Sequence, residues 1–350
     1  MRRLINIAIH DLRLDLRGLT VLTEAATGYF VVTPLIAVMA GAERVLALTG
    51  DSRYGTHSEA RELTESLAHV WGVEGRIDIL PSRQDQRVAR ADIVTNTGFV
   101  RPLDAAFLHR LKATVVIPLM VEPWELRPED LDLAECRRLE IPVLGTNEHC
   151  RELRIFEYIG PIALKLLYEL GFEGFRSRVV VLGSGEFGDQ VEAALRRAGA
   201  EVSRLIPVPH LDLREAERSL SEAEAVVVVE YHTHRMLMGP GGDIEPKALR
   251  EINPDLAVAH ICGGADRAAL EAVGCRCWPK RFAPGGHMTV TTGYVGPRAI
   301  VDLHSGGLKV GECMARARLR GLRGAEAEAA ALTETPLAQA FPEELQLEMV

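Results

Sequence analysis

Short β-branched runs alternate with helical patterns along the first half of the chain. Strand-like apolar runs lie at 19–22, 45–48, 77–80, 91–96 and 113–118, and helical patterns lie between them at 30–40, 59–70 and 102–111. The runs have the length of single strands, whereas the intervening segments repeat apolar positions every three or four residues. Strands that alternate with helices at this spacing predict a parallel α/β layer.

The second half of the chain repeats this alternation. Further strands are predicted near Val179, Val202, Val226 and Leu256. A helical pattern at 148–170 contains Gly160-Pro161, and a proline inside a helix should kink or split it there. A last long helix is predicted at 300–320, so the chain contains two βα series joined by a helical connection.

A glycine-rich turn follows the strand at 179–182 and precedes a helical pattern that runs to about residue 198. Its residues are Gly183, Ser184, Gly185, Glu186, Phe187 and Gly188. In such a G-x-G-x-x-G turn the first glycine permits the tight bend, the second lets a pyrophosphate approach, and the third allows close packing of helix and strand. The amino end of the helix favours an anion. The turn predicts a dinucleotide site, although a turn that binds nothing has the same pattern.

These observations predict an α/β fold of two Rossmann-like lobes with parallel sheets and a cleft between them. The chain of 350 residues is long enough for about two domains. A substrate-type domain covers 1–150 and is completed by 300–350, whose helix returns to the first lobe. A dinucleotide-binding domain covers 151–299.

The strand after the glycine-rich turn lacks a residue that usually selects the cofactor. An Asp or Glu about 20 residues downstream normally binds the ribose hydroxyls of NAD. Here the chain reads Arg204-Leu205-Ile206-Pro207-Val208-Pro209, without a carboxylate. Arg204 is the nearest cation, so the choice between NAD and NADP stays open.

Composition narrows the class of protein. The formal net charge is −9 and aromatic residues make up 5%, which argues against nucleic-acid or anionic-membrane binding. No uncharged run is long enough to span a bilayer, and no amino-terminal segment resembles a signal peptide. The six cysteines are scattered rather than arranged as a disulfide framework. A cytoplasmic protein is expected.

The second lobe resembles the D-2-hydroxyacid dehydrogenase family. The run 225–232, which ends at His232, is similar to that family's strand ending in a histidine, and 243–255 is similar to its following helix and turn. Cys262-Gly263-Gly264 stands where the family has its "A-R-G-G" loop. The resemblance implies an NAD(P)-binding Rossmann domain, a homodimer, and His232 on the nicotinamide side of the cofactor.

The family's catalytic set is incomplete in this chain. Its chemistry uses an Arg to orient a carboxylate, a His as acid/base and a Glu that tunes the His. His287 matches the histidine, Cys262 stands near the arginine position, and the segment with the glutamate is missing. The resemblance therefore implies a divergent oxidoreductase for a small or specialised metabolite, with a biosynthetic pathway as one setting for it. Cys262 is a candidate nucleophile if a helix terminus lowers its pKa, or otherwise an inert buried thiol.

Two other functions stay open. A non-catalytic Rossmann-fold protein that binds a peptide or metabolite in a biosynthetic pathway would also lack the Arg and Glu. An S-adenosylmethionine-dependent methyltransferase is suggested by 21–30 and by the strand that ends near Asp51, which resemble that family's first loop and ribose-binding acid. His232 and His234, with His260 or Cys262, are conceivable metal ligands, but no metal is expected.

One substitution would test the turn. If a pyrophosphate contacts Gly185, a Cβ there collides with it. We expect Gly185→Val to abolish nucleotide binding and to shift thermal unfolding by only a few degrees, provided that the backbone at Gly185 accepts a Cβ.

Overall fold

The computed structural model describes residues 1–342, which fall into two compact units. The first unit comprises Met1–Arg154 and the chain from Pro297 onward, and the second unit is Ile155–Gly296. The strands are β1 (Thr20–Glu24), β2 (Arg44–Leu48), β3 (Ile77–Leu80), β4 (Ile93–Val94), β5 (Ile117–Pro118), β6 (Val143–Thr146), β7 (Arg178–Leu182), β8 (Glu201–Leu205), β9 (Ala225–Val229), β10 (Met236–Met238), β11 (Ala257–Cys262), β12 (Gly264–Ala265), β13 (Arg276–Trp278) and β14 (Ala338–Gln339). The α-helices are α1 (Arg2–Asp11), α2 (Val32–Met39), α3 (His57–Trp71), α4 (Ala105–Leu108), α5 (Leu133–Arg138), α6 (Ile159–Glu169), α7 (Gly185–Arg197), α8 (Leu213–Glu222), α9 (Pro246–Ile252), α10 (Arg267–Ala272), α11 (Arg298–Leu319) and α12 (Gly324–Glu334).

The first unit contains a doubly wound sheet. Strands β3, β2, β1 and β4 are parallel neighbours in that order. A parallel bridge between Ile93 and Val116 continues this order to β5, which pairs with β6. The order 3-2-1-4-5-6 is that of a dinucleotide-binding Rossmann sheet. The parallel α/β layer predicted for the first half is therefore confirmed, and β14 adds an antiparallel edge strand.

Helix α11 packs against this sheet and against α1 and α2 of the same unit. A Cβ on Gly311 would lie 2.9 Å from side-chain atoms of Ile93 and Pro118, which shows how closely the helix approaches β4 and β5. The predicted return of the C-terminal helix to the first lobe is confirmed. Among the described residues, no helix is long and apolar enough to cross a membrane.

The second unit is built on five parallel strands in the order β8-β7-β9-β11-β13. All residues of β9 and β11 are buried, as expected for a parallel sheet covered on both faces. Val179 and Val181 pack toward α6 and α7, whereas Val180 and Leu182 face the side of α8 and α9. Each fully buried valine of this kind contributes roughly 1.5–3 kcal/mol. The chain order reverses between β7 and β9, so these two strands form the topological switch point.

The connection between the units differs from its prediction. The pattern at 148–170 is not one kinked helix: a 3₁₀ turn at Ile155–Tyr158 leads into α6, which begins at Ile159. Pro161 therefore lies in the first turn of α6 rather than inside a helix. A proline is tolerated there because the first backbone N–H groups of a helix have no intrahelical acceptor.

Candidate functional site

The glycine-rich turn lies at the carboxyl end of β7, beside the switch point. Strand β7 ends at Leu182, and α7 begins at Gly185 with Ser184 as its N-cap residue. Gly185 has φ +57°, in the left-handed region that favours glycine. The strand, turn and helix predicted from the sequence are therefore present with the predicted order and spacing.

Close contacts explain why the other two positions are glycine. A Cβ on Gly183 would overlap the carbonyl group of Val229, because β7 and β9 approach each other closely at their ends. A Cβ on Gly188 would overlap the guanidinium of Arg204. Gly188, the third glycine, thus makes room for the Arg204 side chain of β8. The sequence predicted that this glycine allows close helix–strand packing, but it did not predict the contact with Arg204.

Arg204 is held within the second unit. Its Nε donates to the carbonyl oxygen of Gly183 at 2.6 Å, and its guanidinium pairs with Asp189 at 3.3 Å and with Glu192 at 3.2 Å. Its side chain is only 12% exposed. The cation nearest to the expected ribose position is therefore already neutralised and hydrogen-bonded.

Glu230, which the sequence did not single out, organises the turn. It follows β9 directly and is fully buried. One carboxylate oxygen, Oε2, accepts hydrogen bonds from the backbone N–H and the hydroxyl of Ser184 at 2.7 and 2.6 Å. The other, Oε1, accepts from the N–H groups of His232 and Thr233 at 2.6 and 3.2 Å. The sequence did carry a signal for this role, because a glutamate directly follows an uninterrupted apolar strand.

His232 lies at the phosphate-binding turn. Its imidazole occupies the space beside Gly185 so closely that a Cβ on Gly185 would overlap Nε2. The side chain is otherwise exposed. The resemblance placed His232 toward the nicotinamide, whereas the structure places it against the middle glycine of the turn. The condition attached to Gly185→Val, a backbone that accepts a Cβ, is not met, because both the positive φ and the imidazole oppose a side chain there.

Phe187 and Glu186 occupy the first turn of α7. The Phe187 ring packs between the rings of Phe156 and Tyr231, with centroids 5.5 and 5.2 Å away. It is therefore partly committed to the apolar core of the second unit. Glu186 places a negative charge at the amino end of α7, where the helix dipole stabilises it.

His287 lies at the carboxyl end of β11. The following residue, Met288, forms an antiparallel bridge with Cys262, and the N–H of Thr289 donates to Ile261 at 2.7 Å. These bonds fix the segment beside the loop that resembles the dehydrogenase arginine loop. His287 itself is exposed, and its Nδ1 lies 3.3 Å from the carbonyl oxygen of Gly285. No carboxylate within residues 1–342 forms an ion pair with its ring.

Cys262 does not fit a nucleophile. It is fully buried at the end of β11. Burial raises the pKa of its thiol far above the usual range, and the nearby charge of Glu230 raises it further. The thiolate form that reacts is therefore disfavoured. Its burial opposes the catalytic role predicted for Cys262 and fits the alternative of an inert thiol.

His260 is a structural residue. Its ring is buried, stacks on Phe282, and hydrogen-bonds through Nδ1 to the Thr289 hydroxyl at 2.7 Å and through Nε2 to the Gly263 carbonyl oxygen at 2.9 Å. Burial lowers the pKa of His260 to about 4. Both ring nitrogens are thus engaged without a metal. Among the described residues, no three His, Cys, Asp or Glu side chains are arranged to hold a metal ion.

The residues that suggested a methyltransferase are engaged in other contacts. Asp51 accepts a hydrogen bond from the N–H of His57 at 2.7 Å, at the start of α3. Glu24, at the end of β1, is buried and accepts from the N–H groups of Gly98 and Phe99. Burial is the main cause that raises the pKa of Glu24. Asp51, the predicted ribose-binding acid of the first unit, therefore already accepts a hydrogen bond from the start of α3.

A second carboxyl cluster, in which Glu122 and Glu148 are buried and Glu125 is half-buried, lies near the carboxyl end of β6. Glu122 accepts from the Glu148 N–H at 3.1 Å and from the Trp124 indole at 2.6 Å. The side chains of Glu125 and Glu148 hydrogen-bond to each other. Burial raises the pKa of Glu125 to about 7, and it raises that of Glu148 well above its ordinary value. Such a hydrogen bond requires a proton on one of the two carboxyl groups.

Comparison with known proteins identifies the fold. No protein-family model matches the chain, and no curated protein matches its sequence. A dipicolinate synthase from Bacillus subtilis is 13% identical, with a TM-score of 0.54 over 87% of this chain and 99% of its own. The dipicolinate synthase from Bacillus halodurans is 12% identical, with a TM-score of 0.53 over 83% and 96%. A 2-hydroxyacid dehydrogenase from Ketogulonicigenium vulgare Y25 is 11% identical, with a TM-score of 0.42 over 87% and 96%. The two-lobed α/β fold inferred from the dehydrogenase resemblance is thus confirmed, and it is the fold of these dipicolinate synthase structures.

Proposed function

We propose that the second unit binds NAD or NADP and that the protein is a divergent oxidoreductase for a small metabolite. The observation that carries the proposal is the turn Gly183–Gly188 at the switch point between β7 and β9. Its glycines pack too closely for side chains, and Ser184 makes no side-chain cap to α7. A helix amino terminus without a side-chain cap, next to a glycine-rich turn, suits a pyrophosphate.

The end of β8 sets the expected cofactor preference. The end of β8 carries no carboxylate. A carboxylate there would bind the ribose hydroxyls of NAD and repel the 2′-phosphate of NADP. Arg204 is neutralised by Asp189 and Glu192 and so offers little attraction to that phosphate. We expect NADH and NADPH to bind with affinities within about tenfold of each other, about 1.4 kcal/mol in binding free energy.

His287 is the proposed acid/base. A bound nicotinamide would transfer a hydride to or from the substrate, and His287 would exchange the accompanying proton at the carboxyl end of β11. Cys262 occupies the position near the family's arginine, and a buried thiol cannot grip a carboxylate as a guanidinium does. The substrate therefore differs from an ordinary 2-hydroxy acid in the way it is held. The two most similar structures described above are both synthases, which supports a biosynthetic reaction.

Binding is tested by titrating the purified protein with NADH and NADPH and recording nicotinamide fluorescence. His232→Ala should weaken binding because it removes a donor beside Gly185. His210→Ala, on an exposed residue after β8, is the matched control and should leave binding unchanged. If neither dinucleotide binds at millimolar concentration, the proposal fails.

We also propose that the protein is a cytoplasmic homodimer. A monomer in light scattering at micromolar concentration would contradict the dimeric state.

One observation favours the second candidate, a non-catalytic binding protein for a peptide or metabolite. No carboxylate within residues 1–342 forms an ion pair with His287, and the buried Cys262 stands near the arginine position, so the family's catalytic set is incomplete. Native mass spectrometry of the freshly purified protein separates the two candidates. A co-purified dinucleotide supports the oxidoreductase, whereas a different bound molecule and no response to added NADH or NADPH support the binding protein.

A further inference from the structure

The Ser184 hydroxyl is turned away from the helix that it should cap. Serine at an N-cap position ordinarily accepts a hydrogen bond from one of the first N–H groups of the helix. Here the Ser184 hydroxyl donates instead to Oε2 of Glu230 at 2.6 Å, and no side-chain cap forms. A carboxylate can only accept, so Glu230 holds the hydroxyl as a donor.

Glu230 is suited to this task because its position is fixed on both sides. The residue is fully buried and follows β9 at the switch point. Its second oxygen is held by the N–H groups of His232 and Thr233. The carboxylate therefore cannot rotate away from Ser184 without leaving buried donors unsatisfied.

We propose that Glu230 is a positioning residue for the dinucleotide: it keeps the Ser184 hydroxyl off the first turn of α7 and so leaves that helix end for the pyrophosphate. This inference rests on the proposed function. It assigns no contact between Glu230 and the cofactor, because the carboxylate acts through Ser184. Without Glu230, the hydroxyl would become an internal cap that a pyrophosphate must displace.

The test is a double substitution. Glu230→Gln should weaken NADH and NADPH binding about five- to tenfold, the equivalent of a serine cap that must be broken. Ser184→Ala alone should change affinity less than threefold, and adding it to Glu230→Gln should restore binding, because alanine cannot cap the helix. Glu224→Gln is the control: Glu224 precedes β9, is exposed, and accepts from the Arg178 N–H at 2.7 Å. Unchanged binding in Glu230→Gln, tighter binding, or no recovery in the double variant would each overturn the proposal.

Amide hydrogen exchange at Phe187, the third residue of α7, separates this proposal from the proposed function. Glu230→Gln should slow that exchange in the nucleotide-free protein, because the freed hydroxyl caps the helix. Ser184→Ala should leave the exchange of the wild-type amide unchanged. Faster exchange in Ser184→Ala would show that the serine already caps α7, which overturns the proposal even if Glu230→Gln does not fold. If the wild type binds no dinucleotide, these exchange rates still decide how Glu230 positions Ser184.

Discussion

Glu125 and Glu148 share a hydrogen bond between their carboxyl groups inside the first unit. The charged and titratable groups around the pair are Glu122, Arg127 and His149. Two carboxyl groups in contact, one buried and one half-buried, cannot both ionise without strong repulsion. The pair therefore retains a proton at a pH where an exposed glutamate has lost its own.

This pair should make the first unit less stable as pH rises. The pKa of Glu125 is raised from 4.5 to about 7 in the folded protein. The folded state therefore binds more protons, and its stabilisation, present below about pH 4.5, is lost as pH rises toward 7. The shift corresponds to at most about 3 kcal/mol. Glu125→Gln should thus gain stability relative to wild type between pH 5 and pH 8 in urea unfolding. Glu129→Gln, on an exposed residue, should show no such gain. Parallel pH curves for wild type and Glu125→Gln would contradict the assignment.

His260 should make the second unit less stable as pH falls. Its pKa falls from 6.5 to about 4 on folding, so the folded state binds fewer protons. The stabilisation is present above about pH 6.5 and is lost as pH falls toward 4, by at most about 3 kcal/mol. The C2 proton resonance of His260 should therefore stay at its neutral position from pH 8 to pH 5. A midpoint near 6.5 in that NMR titration would show that the ring is not buried as described.

Gly188 and Arg204 should be energetically coupled. Gly188→Ala should destabilise the second unit by roughly 2 kcal/mol, because the new methyl group displaces the guanidinium. Arg204→Met removes that clash, and alanine has the better helix propensity by about 1 kcal/mol. The double variant should therefore be more stable than the sum of the two single changes indicates. Strict additivity in urea unfolding would rule out the contact.

Gly185→Ala should lower stability even without nucleotide. The residue has φ +57°, and a Cβ would overlap His232. The left-handed backbone costs a non-glycine residue about 1 kcal/mol or more. His232→Ala in the same chain should recover the part of the loss due to overlap, but not the part due to the backbone. A Tm equal to that of wild type for Gly185→Ala would contradict this description.

Local signals were read correctly from the sequence, whereas contacts between distant segments were not. The strand, turn and helix around Gly185 follow from adjacent residues, as does the parallel layering of both units. Glu230 was missed because its partner Ser184 is 46 residues away. The burial of Cys262 at the end of β11, which opposes its reactivity, could not be read from the neighbouring residues. The position of Pro161 was misread because a periodic pattern does not show where a helix begins.

The first unit is interrupted in sequence by the second. Its parallel strands lie before residue 154, but α11, which covers β4–β6, and the antiparallel edge strand β14 come after residue 297. On the ribosome, the second unit is complete once residue 296 has emerged, whereas the first still lacks the helix that closes its core. Nascent chains should therefore bury the sheet of the second unit before that of the first unit. This is the reverse of the usual amino-terminal-first order.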